Sequence, residues 1–368
     1  MEATVAVVGA GPAGCAAALT LRRYLPEMPV VLVSAPAGGG PAAGETLSPG
    51  VLPLLDYLGL RKEFLDAGHL PAGGTASAWG SSRVAERSYL FTGRGTGWHL
   101  DRARFDVWLL AQAQAAGACV VHGRALLQGA IRSESGWLLE IEGVGTIAAR
   151  AVVDATGRSA QLARRKGQRP RRDDALVADI RWFVDDVPRP AAEGALVESV
   201  PDGWWYTASL PGGRAVAMFM TDADLLRQSS WDARLEDAPA TMRRVERWRP
   251  AGETAVRAAN SQITPVVAGG GWVAAGDAAA AFDPVSALGI GFSLRSGMEA
   301  ARVAAAAAEG DDEGPAAAYT ASVARIYADY RSRHRAIYLQ ERRWPEAPFW
   351  ARRAGIAPPL HRAAQATP

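Results

Sequence analysis

Three glycines near the start of the chain, Gly9, Gly11 and Gly14, are spaced G-x-G-x-x-G between an apolar run at residues 4–8 and a helical run at 15–23. In strand–turn–helix order this spacing suits a dinucleotide: Gly9 permits the tight turn and Gly11 lets the backbone approach a pyrophosphate. Gly14 lets the helix close on the strand, and the helix amides meet the anion. About 20 residues after the last glycine, where an acid would hold the ribose hydroxyls, stands Ser34, so a weaker grip on the adenosine half is expected.

Three further constellations carry polar groups at structurally telling places. Arg102 opens a helix with Phe105-Asp106, Asp154-Ala155-Thr156-Gly157 follows a strand, and Gly276-Asp277 is followed by Pro284 and Gly289-Ile290-Gly291. No Ser/His/Asp triad, paired-carboxylate device or metal-ligand cluster is evident in the sequence, so no side chain is assigned as catalytic and no metal is expected. Trp79, His99, Trp205 and Tyr206 are candidates for an aromatic wall that would suit a flat substrate. Tryptophans at hairpin positions also pack cores, and His99 beside Trp98 equally suits a hydrogen-bonded structural histidine.

The elements that must position these residues follow from pattern. Strand, glycine turn, helix and a second apolar strand at 30–33 make a βαβ unit with a parallel sheet. Asp101 is placed to cap a helix over 102–116, with Phe105, Leu109 and Leu110 on its apolar face, and strands follow at 119–121, 137–141 and 146–153. Residues 174–187 and 194–220 alternate in the β manner, with a hairpin turn at 211–214. After a helical stretch at 232–248 come a strand at 271–275 and a helix over 286–308. The fold class is therefore α/β: a discontinuous Rossmann-type layer over 1–70, 98–168 and 258–310, an inserted antiparallel sheet over 71–97 and 169–257, and a helical region over 311–368.

The ordered set of motifs resembles the FAD-binding fold shared by aromatic hydroxylases, geranylgeranyl reductases and flavin-dependent tryptophan halogenases, over nearly the whole chain. The resemblance implies FAD as cofactor, with Asp277 on the ribityl chain and Arg102 near the pyrophosphate. It implies that the Asp283-Pro284 turn and the helix start through Ala287, Gly289 and Ile290 face the flavin ring. The implied contact set is completed by Gly9, Gly11, Pro12, Ala13, Gly14, Ser34, Glu45, Thr46, Ala125, Asp154, Gly157 and Gly276. A helix N-terminus carries about half a positive charge, so amides at Ala287 to Gly289 would stabilise negative charge on a reduced flavin.

Gly44-Glu45-Thr46, Gly203-Trp204-Trp205-Tyr206 and the segment from Glu341 to Arg353 look most like a non-halogenating branch, which includes flavoproteins that mature tryptophylquinone cofactors in partner proteins. Halogenases carry a lysine shortly after a Gly-Gly-Thr-like segment. Here Gly73-Gly74-Thr75 runs into Ala76-Ser77-Ala78-Trp79, and the chain has only Lys62 and Lys166. The expected activity is FAD-dependent monooxygenation of an indole or phenol, free, carrier-bound or in a peptide. The alternatives are dehydrogenation or reduction at C–C bonds, and a flavin-bearing maturation partner of a client protein. One strand-borne G-x-G-x-x-G points to a separate flavin reductase as electron source.

Composition agrees with a globular enzyme: 368 residues, 49% hydrophobic, 21% charged and a net charge of +2. Cys15 and Cys119 cannot build a disulfide framework, and the N-terminus lacks the features of a secretory signal, so a reduced, cytoplasmic setting is expected. Asp277 and Asp283 interrupt the longest alanine-rich stretch, which excludes a membrane span there. Residues 321–368 hold nine arginines against Asp329, Glu341 and Glu346, interleaved with aromatics; this pattern is expected to pack a C-terminal helix on its own domain rather than to bind nucleic acid.

Overall fold

A computed structural model of the chain describes residues 1–35, 46–89, 95–133, 136–185 and 194–356, with the backbone alone over 125–129. The strand Glu2–Val8 pairs in parallel with Val30–Ser34 on one side and Gly145–Asp154 on the other, and Cys119–His122 extends the sheet beyond Val30–Ser34. Val5, Val7, Val30 and Leu32 are buried, as continuous apolar strands require when both sheet faces are covered.

Gly145–Asp154 has three neighbours. Its first half runs antiparallel to Gly136–Glu142, beyond which lies Arg124–Ser133, a strand not anticipated from the sequence. Its last residues, Val152 to Asp154, pair in parallel with Trp272–Ala274, which returns from far along the chain.

Two helices cross on one face of this sheet. Pro12–Tyr24 begins with its proline in the first turn, three residues before the run expected from Cys15, because a missing N–H costs nothing there. Gly297 lets the helix Gly289–Ala308 approach it, since a Cβ at 297 would run into the Ala13 carbonyl. The helix Arg102–Ala115 is capped as expected: the Asp101 carboxylate accepts the Arg104 N–H at 3.1 Å, and Phe105 and Leu109 are buried.

The second sheet has seven strands in the order Arg249–Ala258, Leu176–Val184, Arg214–Asp222, Gly203–Leu210, Ala195–Val200, Gly74–Ala78 and Ala85–Ser88. The hairpin at 211–214 forms with Leu210 opposite Arg214, and left-handed Gly212 and Gly213 make its turn. Side chains alternate between faces. Trp204, Ile180 and Met218 pack with Tyr338, Phe349 and Trp350 on one face, whereas Trp205, Phe183 and Phe219 pack with Trp231 and Trp248 on the other. The stretch at 232–248 is two short helices, Trp231–Glu236 and Pro239–Val245, because Pro239 cannot donate into a preceding turn and starts a helix instead.

The basic C-terminal stretch folds onto its own chain through Glu313–Tyr338 and Pro348–Ala354. Tyr327, Tyr330, Phe349 and Trp350 are buried, Arg352 pairs with Asp222 at 2.9 Å and Asp224 at 2.7 Å, and Arg353 pairs with Asp222 at 2.9 Å.

The Glu341 side chain is fully buried and accepts from Ser199 Oγ at 2.6 Å, the Gly80 amide at 2.9 Å and Arg343. Burial alone would raise its carboxyl, but the bonds from Arg343, Ser199 and the Arg343 and Gly80 amides outweigh it and bring it from 4.5 to about 2. The folded value lies below the unfolded one. Glu341 therefore stabilises the fold above pH 4.5, and that contribution is lost as pH falls toward 2. Glu341→Gln is expected to lower stability at pH 7 by about 3 kcal/mol and to remove this segment of the acid-unfolding curve. Equal denaturation midpoints for the two proteins at pH 7 would show that Glu341 anchors nothing.

Candidate cofactor and substrate site

The glycine turn lies at the carboxyl ends of Glu2–Val8, Val30–Ser34 and Gly145–Asp154, where open α/β sheets bind ligands. Its three glycines divide by what surrounds them. Gly9 has φ +107° and a Cβ there would strike the Ala155 carbonyl; a Cβ at Gly14 would strike the Gly9 carbonyl. Gly11 has nothing within 4 Å of that position. The first and third glycines are consumed by packing, and the second faces open space. Pro12 and Ala13 start the helix beneath it, and Ser34 turns its hydroxyl to the Ala35 carbonyl at 3.4 Å.

Asp154, expected as a cofactor contact, is held by its own turn and the helix after it. Fully buried, its carboxylate accepts from the Thr156 amide at 3.1 Å, the Thr156 hydroxyl at 2.6 Å, and the Leu162 and Ala163 amides at 2.9 and 3.0 Å. Burial pushes this carboxyl up against those four bonds. Asp154 thus shapes the turn through left-handed Gly157 (φ +66°) and starts the next helix.

That turn presents Arg158, a residue not singled out from the sequence. Its guanidinium donates to the Asn260 carbonyl at 2.7 Å and stands 3.4 Å from the Asp277 carboxylate. Gly276 delivers Asp277 with φ +60° while crowding Ala13, whose Cβ would lie 2.8 Å from a Cβ at 276. Arg102, held by Asp106 at 3.1 Å, also bears on the Asp277 charge. One acid and two guanidiniums thus flank the glycine turn.

The helix expected from Ser286 begins at Gly289. Pro284–Ser286 is a 3₁₀ turn, and Ala287 is left-handed at φ +50°, which interrupts the helix. The Ala287 N–H is spent on the Pro284 carbonyl at 3.0 Å, so the expected amides at Ala287 to Gly289 shift along. The first-turn amides are those of Gly289, Ile290 and Gly291, and a Cβ at Gly289 would meet nothing within 4 Å.

Three residues from distant segments meet in one cluster. Thr46 Oγ1 lies 3.2 Å from His99 Nδ1 and bonds the Tyr206 hydroxyl. Burial, aided by Arg244, lowers the fully buried His99 to about 4, so its imidazole is neutral at ordinary pH.

The other two aromatic candidates lie elsewhere. Trp205 faces the opposite side of its strand from Tyr206; it is buried with its ring 4.6 Å from Trp231 and its N–H on the Arg234 carbonyl at 3.3 Å. It cannot share a wall with Tyr206, because adjacent strand residues point to opposite faces. Trp79 donates to the Ile337 carbonyl at 2.9 Å and packs on Tyr338 and Trp350. Ala125 begins the second residue of Arg124–Ser133, opposite Ile141, and Glu45 lies outside the described residues.

These residues fit FAD. Room at Gly11 beside close-packed Gly9 and Gly14 suits a pyrophosphate, the Arg102, Arg158 and Asp277 group offers charged and hydroxyl-binding partners, and open Gly289 lets a flat group approach helix amides. Among the described residues, no group of His, Cys, Asp and Glu could hold a metal ion, and no helix is long and apolar enough to cross a membrane.

A glycine turn at the ends of parallel strands, joined to a large antiparallel sheet, defines an FAD-dependent oxidoreductase of the hydroxylase and halogenase fold. Residues 2–326 match the family model described as an FAD binding domain, and the chain belongs to that family. It is 32% identical over 371 residues to the putative FAD-dependent oxidoreductase LodB of Marinomonas mediterranea, covering 96% of this chain and 98% of the relative. The myxobacterial chondrochloren halogenase CndH shares the fold with a TM-score of 0.84 at 21% identity, covering 99% of this chain and 88% of that one. The peptidyl tryptophan dihydroxylase QhpG, essential for tryptophylquinone cofactor biogenesis, superposes with a TM-score of 0.75 at 29% identity, covering 98% of this chain and 80% of that one.

Proposed function

We propose that this enzyme is a monooxygenase that hydroxylates an electron-rich aromatic ring, an indole or phenol, with a peptide-borne tryptophan as the leading substrate class. The observation that carries this reading is the position of the two lysines. Lys62 is exposed on the helix Arg61–Asp66, and Lys166 lies over the Trp137 ring at 5.3 Å, so neither belongs to the strand Gly74–Ala78 or to the residues shortly after it, where a halogenating enzyme would place one. The likeness to QhpG over 98% of the chain supports a peptide-borne ring.

FAD, when bound and reduced, supplies the oxygen-activating chemistry. Gly11 and Arg102 would hold its central pyrophosphate, Asp277 with Arg158 beside it the ribityl chain, and the first-turn amides of Gly289 to Gly291 the flavin ring. Half-buried Thr46 and Tyr206 offer hydroxyls to the ring to be oxidised, and the fully buried, neutral His99 behind Thr46 brings no competing charge. A flavin reductase is the proposed electron source. The division into a discontinuous cofactor layer, an inserted sheet and a helical C-terminal region belongs to the same reading, as does a cytoplasmic setting, which rests on Cys15 and Cys119 both being free thiols.

The test supplies reduced FAD, labelled dioxygen, chloride or bromide, and indoles and phenols both free and within peptides. Mass spectra are expected to show one or more labelled oxygens in a tryptophan-bearing peptide and no halogen isotope pattern. A halogenated product would refute the reading, and loss of two hydrogens without oxygen would replace it with dehydrogenation. Rapid anaerobic reduction of bound flavin by NADPH alone would overturn the separate reductase.

A further inference from the structure

The helix Glu313–Tyr338 places Tyr330, His334 and Tyr338 four residues apart on one face, and all three end on Asp283, about 50 residues earlier in the chain. The Asp283 amide donates to the Tyr330 hydroxyl at 3.0 Å, and that hydroxyl also pairs with Ser261 Oγ at 2.6 Å. His334 Nε2 at 2.9 Å and the Tyr338 hydroxyl at 2.8 Å both meet Asp283 Oδ2, while Oδ1 accepts the Val285 amide at 2.9 Å. Asp283 is 1% exposed and His334 6% exposed, so these bonds are made away from competing water.

What the ladder grips is the turn ahead of Gly289. Ala287 sits there at φ +50° without being glycine, a conformation that persists only when its surroundings over-determine it. The Tyr338 hydroxyl also accepts the Trp204 indole N–H at 2.9 Å, which ties the same turn to the inner face of the seven-stranded sheet.

We propose that Tyr330, His334 and Tyr338 are positioning residues for the flavin. They hold the Asp283–Ala287 turn, and with it the amides of Gly289 to Gly291, where the ring must dock, and the bond from Tyr338 to Trp204 couples the sheet to that turn. The inference rests on the reading that the flavin ring lies against residues 284–290. It is independent of which aromatic is oxidised.

The experiment reconstitutes apoprotein with FAD and measures its dissociation constant, the absorbance spectrum of the bound flavin and its midpoint potential. His334→Leu removes the donor to Asp283, His334→Gln restores one, and Tyr338→Phe removes only a hydroxyl. His334→Leu and Tyr338→Phe are each expected to weaken FAD binding about tenfold and to shift the spectrum and potential, with His334→Gln within about twofold of the parent. Gly289→Val tests the ring's location separately. If Gly289→Val binds FAD normally, the docking reading fails and the inference with it. If Gly289→Val loses affinity while Tyr338→Phe keeps the parent affinity, spectrum and potential, the ladder is only scaffold and the inference is overturned. Should His334→Leu not fold by circular dichroism, Tyr330→Phe and Tyr338→Phe decide the matter alone, because both keep the aromatic ring in the core.

Discussion

Gly11→Val is expected to abolish FAD binding in a chain that still folds. Nothing lies within 4 Å of the position its Cβ would take, so the valine's branch point has room in the fold and fills the space through which the pyrophosphate reaches the backbone. Losing two or three charge-assisted contacts to amides should weaken binding by more than about 100-fold. The variant should purify without flavin, with an unfolding temperature close to that of the wild-type apoprotein. Normal flavin content would show that the pyrophosphate does not sit on this loop. Gly9→Ala is the contrasting change: its Cβ would strike the Ala155 carbonyl and its φ of +107° disfavours any side chain, so the fold and the cofactor should be lost together.

The second large effect falls on Asp154. Truncation to alanine removes the acceptor for two helix amides, one turn amide and a hydroxyl, all in a site closed to water. Donors stranded in this way cost about 3–5 kcal/mol together. Urea denaturation of apoprotein should show that loss with no FAD present, which separates a shaping role from cofactor contact. If Asp154→Ala denatures like the parent but fails to bind FAD, the carboxylate belongs to the cofactor after all.

Local chemistry made much of this legible from sequence. The glycine turn, the Asp101 cap and the Gly212-Gly213 hairpin each depend on residues within a few positions of one another. What escaped depends on registration across the chain. That Trp204 joins the core on one face of the sheet and Trp205 the core on the other is decided once the strand is seated between its neighbours, and the sequence offers two identical rings side by side. The break at Ala287 carries no glycine to announce it, because its strain is countered by bonds from residues 330–338. Thr46, His99 and Tyr206 were each visible as candidates, but their meeting joins three separate strands. Arg158 was overlooked because its partner, Asp277, lies more than 100 residues further on.

The late return of Trp272–Ala274 to the edge of Gly145–Asp154 has a kinetic meaning. During synthesis the last residues of that strand emerge long before their partner, and at about 5–20 residues per second the edge beside Val152 to Asp154 stays open for roughly 6–24 s. Within that interval the chain makes five strands of the seven-stranded sheet, Leu176–Val184 to Arg249–Ala258, which pair with one another and with the earlier strand Gly74–Ala78. The sheet can therefore mature first and bring the missing strand back to a waiting edge. Asp277 follows three residues after Ala274. The docking that closes the parallel layer thus also brings Asp277 to Arg158, while the Gly289 to Gly291 amides and the helix Glu313–Tyr338 that holds the turn before them are still to come.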